Sequence, residues 1–144
     1  MTRRISSVVI FGATGMVGQG VLRECLADAD IQRVITVGRS ATGLTHEKLV
    51  ERTVPDLRDL SALTHELASV DACFFCLGVS AAGMSEADYR RVTYDLTLSV
   101  AQTLVAANPA MVFVYVSGEG TDSTEHGRQM WARVKGATEN AVHA

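Results

Sequence analysis

Short apolar runs alternate along this chain with stretches in which apolar positions recur every three or four residues. The runs are Ser7–Phe11 (SVVIF), Val34–Val37 (VITV), Lys48–Val54 (KLVERTV, the weakest), Ala72–Leu77 (ACFFCL) and Met111–Val116 (MVFVYV). Several lack a polar alternate, which is the pattern of strands covered on both faces in a parallel sheet. Between them, Val21, Leu22, Cys25 and Leu26 recur at helical spacing after Gly18, and Leu60, Leu63 and Leu67 do so in the next gap. The longest stripe is Tyr89, Val92, Leu96, Val100 and Leu104. Ser85 with Asp88 three residues later reads as its capping box, because the hydroxyl can accept from a first-turn N–H. Asn108-Pro109 ends that helix. A last helix is expected from about Arg128, burying Met130, Val134, Ala137 and Ala141. Alternation of this kind predicts an α/β fold, a doubly wound parallel sheet.

Composition narrows the class. The 144 residues suit one domain, with 47% apolar and 20% charged residues, as in ordinary globular proteins. A net charge of −3 gives no reason to expect a nucleic-acid partner. No run approaches the roughly 18 consecutive apolar residues of a membrane span. The start, MTRRISSVVIFG, resembles a charged leader, but its apolar run is only VVIF before a glycine, which fits a strand better. Three cysteines, an odd number, argue against a disulfide scaffold and make a cytoplasmic setting the default expectation. Cys73 and Cys76 form a C-x-x-C inside an expected strand, where residues three apart face opposite ways, so they read as buried thiols. The four histidines show no ligand spacing, and no metal is expected.

The densest motif is VVIFGATGMVGQG, in which Gly12, Gly15 and Gly18 follow a strand and open a helix. Glycines here permit a tight turn, close approach of backbone to phosphate, and close helix–strand packing. The helix N-terminus then offers free N–H groups and partial positive charge to a pyrophosphate. In this motif the chain resembles the short-chain dehydrogenase/reductase superfamily, nearest its atypical and extended branches with NmrA-like and NAD-dependent epimerase/dehydratase-like proteins. The resemblance runs over essentially the whole chain. It implies a Rossmann domain over residues 1–144, with about five strands in order 3-2-1-4-5. It also implies that the usual C-terminal strands and substrate lobe are missing, as in a piece of a longer protein. A sheet ended there would expose a strand edge and part of an apolar face.

The same resemblance assigns cofactor contacts to Gly12, Thr14, Gly15, Met16, Val17 and Gly18, and to Leu77 and Gly78 after the fourth strand, where Ser80 is also within reach. Arg39 and Ser40, after VITVG, fall where the adenosine ribose is met. A cation and a hydroxyl suit a 2′-phosphate, so NADP(H) is favoured, with NAD(H) the alternative. Asp56 and Leu57 fall where the family contacts adenine. An aspartate ahead of a helix is also a standard cap, so Asp56 is open between the two roles, and Asp59 is the expected N-cap.

For chemistry, the resemblance implies a Ser or Thr after the fifth strand and a Tyr-x-x-x-Lys pair on the next helix. Ser117 and Lys135 occupy two of these places, and Trp131 stands where the tyrosine should be. An indole N–H donates a hydrogen bond but cannot serve as a proton donor near neutral pH. Gly118 follows Ser117, where a paired hydroxyl is common in the family. Glu119, Asp122 and Glu125 lie in the intervening loop, which reads as solvated, although one could supply a carboxylate. Tyr115 reads as packed, and Tyr89 and Tyr94 as interface residues of the long helix.

Two functions remain open from sequence. One is an NADP(H)-dependent oxidoreductase or epimerase acting on a carbonyl or hydroxyl of a small molecule, with Ser117 orienting the substrate and Lys135 holding the ribose. The other is a non-catalytic NADP(H)-binding sensor or interaction module. A homodimer through the helices starting near Ser85 and Arg128 is expected by analogy.

Overall fold

The computed structural model describes residues 4–77, 82–116 and 123–143. Five strands, β1 (Ser7–Phe11), β2 (Arg33–Gly38), β3 (Leu49–Thr53), β4 (Ala72–Phe75) and β5 (Val112–Tyr115), form one sheet. Their order is β3-β2-β1-β4-β5 and every pairing is parallel. This is the doubly wound order expected from sequence, and the weak third strand is real. Central β1 explains its unbroken apolar run, since Val8 through Phe11 are all fully buried.

Successive side chains of a strand point to opposite faces, so the sheet supports two cores. On one face Val9, Phe11, Ile35, Cys73 and Phe75 pack with Leu60, Leu63, Leu67, Val100 and Leu104. On the other, Val8, Ile10, Val34 and Ala72 pack with Leu22 and Cys25 of α1 (Met16–Ala27). Cys73 and Cys76 thus fall to opposite faces, and burial raises both thiol pKa values.

The leucines at 60, 63 and 67 are buried, but on a 3-10 turn (Ser61–Leu63) and a single helical turn, α2 (Thr64–Leu67), rather than on a full helix. Both geometries bring residues three or four apart to one side, so the apolar spacing alone did not separate them. The Asp59 carboxylate accepts from the Ser61 N–H and hydroxyl at 3.2 and 2.7 Å, while the N-cap position itself falls on Leu60.

The long helix is interrupted. It runs as α3 (Glu86–Arg90), a π turn (Arg91–Asp95) and α4 (Leu96–Ala107). Ser85 caps it as expected, its hydroxyl accepting from Asp88 N–H at 3.1 Å. Asn108 ends it, donating from its amide to the Val70 carbonyl at 2.8 Å. The wide turn changes the buried stripe. Tyr89, Val100 and Leu104 are buried as expected and Leu96 is half-buried against the core, but Val92 is exposed and Thr93 and Thr97 are buried. The Thr97 hydroxyl donates to the Thr93 carbonyl, so this buried polar group is satisfied within the helix.

The last helix, α5 (Met130–His143), packs on α3, the π turn and α4, burying Ala132, Val134, Ala137 and Thr138. At the far edge, β5 is covered on one face only. Phe113 and Tyr115 join the Phe75 cluster, whereas Val112 and Val114, on the α1 side, are 43% and 37% exposed.

Candidate cofactor-binding site

The glycine loop runs from the end of β1 into α1. Gly12 has φ +84°, a left-handed conformation, and a Cβ there would sit 2.7 Å from the Leu77 nitrogen. Gly18, in the first turn of α1, lies so close to β1 that a Cβ would be 1.9 Å from the Gly12 oxygen. These two therefore perform the turn and the helix–strand packing. Gly15 differs: its φ is −76° and an added Cβ would meet nothing nearer than 3.6 Å. It is the N-cap of α1, and no side chain caps that helix. The first-turn N–H groups are thus left for an external acceptor. Gln19 braces the loop by donating from its amide to the Thr14 carbonyl at 2.7 Å.

A cleft of about 670 Å³ opens at the C-terminal ends of β1, β2 and β4, within the range typical of cofactor sites. It brings together Gly12 and Thr14 of the loop, Arg39 and Ser40 after β2, Asp56 and Leu57 after β3, and Leu77 after β4. The crevice beyond the carboxyl ends of parallel strands, where strand order reverses, is where such sheets take ligands. The side chains of Met16 and Val17 are exposed, 91% and 52%, and do not line the cleft. Gly15 and Gly18 do not line it either. Gly78 and Ser80 lie outside the described residues.

The cleft also holds residues that sequence reasoning missed: Thr36, Thr42, Pro55, Arg58, Arg91, Val92 and Leu96. Thr36 had a signal, a polar residue inside an otherwise apolar strand. Val92 was read as core, but it and Arg91, on the π turn, line the cleft instead, while Leu96 lines the cleft and also packs against the core as read. π turns recur at functional sites for this reason. Arg91 pairs with Asp88 at 3.0 Å. Asp56 is fully occupied locally: its carboxylate accepts from the Arg58 backbone N–H at 2.9 Å and Arg58 Nε at 3.2 Å. Those two bonds hold its pKa below the usual value. The wall of the cleft beyond β2 and β3 thus carries Arg39 and Arg58.

Trp131 and Lys135 lie one turn apart on α5 and both are half-buried, but neither lines the cleft. Ser117, Gly118, Glu119 and Asp122 lie outside the described residues. Glu125 accepts from the Asn140 amide at 2.9 Å, so this carboxylate fastens its loop to α5. Tyr115 is packed, its ring 6.1 Å from Phe75, and burial drives its pKa up to about 12. Tyr89 is buried and its hydroxyl pKa is likewise raised by burial. Tyr94 lies beneath the Arg90 guanidinium, 4.0 Å from the ring centre.

A strand-turn-helix glycine loop, an uncapped helix N-terminus and a cleft with cations on the wall beyond β2 and β3 fit a dinucleotide. The fold and cleft define a Rossmann-type dinucleotide-binding domain. Residues 12–143 match the model of a family described as NAD(P)H-binding, and the chain belongs to that family. It is 28% identical to the protein fmp52, mitochondrial, of Emericella nidulans over 97% of this chain and 61% of the relative. It is likewise 28% identical to the rat protein HTATIP2, over 94% of this chain and 56% of that protein. The chain thus spans about three fifths of the curated relatives it matches. Among solved structures, a mutated uronate dehydrogenase superposes with a TM-score of 0.72 at 15% identity, covering 95% of this chain and 52% of that one. DesIV, a dTDP-glucose 4,6-dehydratase from Streptomyces venezuelae with NAD and TYD bound, gives 0.71 at 20%, covering 94% and 49%. These neighbours share the Rossmann fold with this chain. No helix among the described residues is long and apolar enough to cross a membrane.

Proposed function

We propose that this chain is the cofactor-binding part of an NADP(H)-dependent oxidoreductase or epimerase acting on a carbonyl or hydroxyl of a small molecule. The observation that carries the NADP(H) choice is the pair of guanidinium groups, Arg39 and Arg58, on the wall beyond β2 and β3. Where an NAD-specific site needs a carboxylate for the ribose hydroxyls, after β2, the described residues that line the cleft are Arg39, Ser40 and Thr42. In this reading the α1 N-terminus takes the pyrophosphate, Arg39 and Ser40 the 2′-phosphate, and Leu57 and Leu77 flank the adenine. Ser117 orients the substrate oxygen, and Lys135 holds the nicotinamide ribose. A homodimer through α4 and α5 accompanies this proposal, supported by Val105, 56% exposed on α4. A cytoplasmic location is retained as part of the reading, although the names of fungal relatives carry a mitochondrial label; fractionation of the full-length protein distinguishes the two.

A second reading is favoured by one residue, Trp131. With an indole where the family has its proton donor, the chain acts as an NADP(H)-responsive binding module without turnover. Titration with NADPH and NADH tests the common part. NADPH is expected to bind more tightly, and Arg39→Asp is expected to weaken NADPH by about 10- to 100-fold, the loss of one charge-assisted phosphate contact. Failure to bind either nucleotide refutes both readings. Turnover of a carbonyl panel by the full-length protein, abolished by Ser117→Ala, separates the enzyme from the module.

A further inference from the structure

Arg39 and Ser40 sit on a short loop, and what fixes that loop lies outside the cleft, on β3. Glu51 stands opposite Thr36 across the β2–β3 ladder. One carboxylate oxygen, Oε1, accepts from the Thr42 backbone N–H at 2.7 Å, from the Thr42 hydroxyl, and from the Thr36 hydroxyl at 3.3 Å. Gly38, at the other end of the loop, is tied to the same side of the sheet: its carbonyl accepts from Val54 N–H at 2.9 Å. Arg39, Ser40 and Ala41 are therefore the only residues between two anchors. Both anchors belong to the strand next to the cleft wall.

We infer that Glu51 is the positioning residue for cofactor selectivity, holding the Arg39–Ser40 segment where a ribose 2′-phosphate is bound. It acts through Thr42 and touches no cofactor. An ionised carboxylate accepting three donors is a strong, charge-assisted anchor. Burial alone would raise its pKa, but the bonds from Thr42 and Thr36 outweigh burial and hold the group ionised. Loop side chains with five or more torsions, such as arginine, gain specificity only when the backbone beneath them is fixed.

The inference rests on the NADP(H) reading of the cleft, and the experiment separates the two. Dissociation constants for NADPH and NADH are measured on the full chain for wild type, Glu51→Ala, Glu51→Gln, Arg39→Ala and the Glu51→Ala/Arg39→Ala double variant. Glu51→Ala is expected to cut the NADPH-over-NADH preference about tenfold while leaving NADH nearly unchanged. Glu51→Gln, whose amide oxygen can still accept, is expected to restore most of it. In the Arg39→Ala background, Glu51→Ala is expected to change the preference no further, because its effect passes through that loop. A wild-type chain with no NADPH preference, or an Arg39→Ala variant that keeps it, overturns the reading and the inference with it. A preference lost in Arg39→Ala but kept in Glu51→Ala overturns the inference alone. Equal weakening of both nucleotides by Glu51→Ala, or an undiminished effect in the double variant, also overturns it. If Glu51→Ala does not fold, Thr42→Val removes one donor to the same oxygen. The preference is then expected to fall several-fold, and an unchanged preference overturns the inference.

Discussion

Substituting alanine separately for Gly18 and Gly15 distinguishes what the fold requires from what the ligand requires. At Gly18 the new Cβ would lie 1.9 Å from the Gly12 oxygen, 2.7 Å from its carbonyl carbon and 2.9 Å from the Ala13 Cα, all backbone. To reach an ordinary 3.4 Å contact, α1 must move away from the Gly12–Ala13 backbone by about 1.5 Å. That backbone cannot yield, since Gly12 abuts the Cys76–Leu77 backbone and follows directly on the buried β1. Overpacking of this kind costs about 3 kcal/mol, of which the better helix propensity of alanine recovers roughly 1. A net loss of about 2 kcal/mol lowers the melting temperature by roughly 8 °C in a chain of this size. At Gly15 the backbone is already in an ordinary region, and the nearest atom to a Cβ is 3.6 Å away. Gly15→Ala is therefore expected to cost under about 1 kcal/mol, the price of a poorer N-cap. Because Gly15 is the N-cap of the uncapped helix, an added methyl group there is expected to crowd an anion held by the first-turn N–H groups. Thermal melts followed by circular dichroism, paired with NADPH titration, check both. Gly18→Ala should melt early, and Gly15→Ala should melt near wild type with cofactor affinity reduced at least tenfold. A Gly15→Ala chain that melts as early as Gly18→Ala, or a Gly18→Ala chain of normal stability, would refute this division.

Two other outcomes follow from the site and its supports. Trp131→Tyr in the full-length protein is expected to keep the fold and to gain or alter cofactor-dependent turnover of a carbonyl panel; a variant that fails to fold shows that the indole is a packing residue. Glu66 accepts from Arg52 Nε at 3.0 Å and Arg52 Nη2 at 2.9 Å, with Arg33 Nη2 at 3.0 Å. Arg52 foremost holds its carboxyl pKa below the usual 4.5. A carboxyl whose folded pKa is lowered contributes stability that is present above its unfolded pKa and lost as pH falls through the folded one. The contribution should therefore be full at pH 6 and decline below about pH 4.5. Glu66→Gln should be less stable than wild type at pH 6 and converge with it in acid, measured by urea unfolding; a constant difference across pH would refute the ionic origin.

Much of this architecture was readable in advance because it rests on burial. β1 was predicted at its observed bounds, since Val8 to Phe11 form an unbroken apolar run that is fully buried, and the Ser85 cap and Asn108 stop are local chemistry. The phase of the long helix was not readable. Periodicity reasoning counts apolar residues, and the buried places at 93 and 97 are filled by threonines whose methyl groups pack and whose hydroxyls can bond within the helix. The glycine loop was legible from its spacing, and Arg39, Ser40 and Leu57, which line the cleft, from the family resemblance. Arg58, Arg91 and Glu51 were not, because nothing in a lone charged residue tells whether its strand or turn faces a cleft, a neighbour or solvent.

The π turn at Arg91–Asp95 also bears on how chains of this kind are to be matched with one another. A π turn is an α-helix that has absorbed an extra residue without forming a loop, so it is an insertion concealed within regular structure. In a relative whose helix is uninterrupted, one residue fewer would separate the Ser85 cap from the Leu104 anchor. Counted from the cap, each side chain beyond the π turn would be rotated by about 100° relative to its counterpart here. Pairing residues by column, with the gap assigned to a nearby loop, would set Arg91 against a residue that faces elsewhere. Counterparts of Arg91 and Val92 should be sought by superposing the two ends of the helix and asking which side chain reaches the cleft.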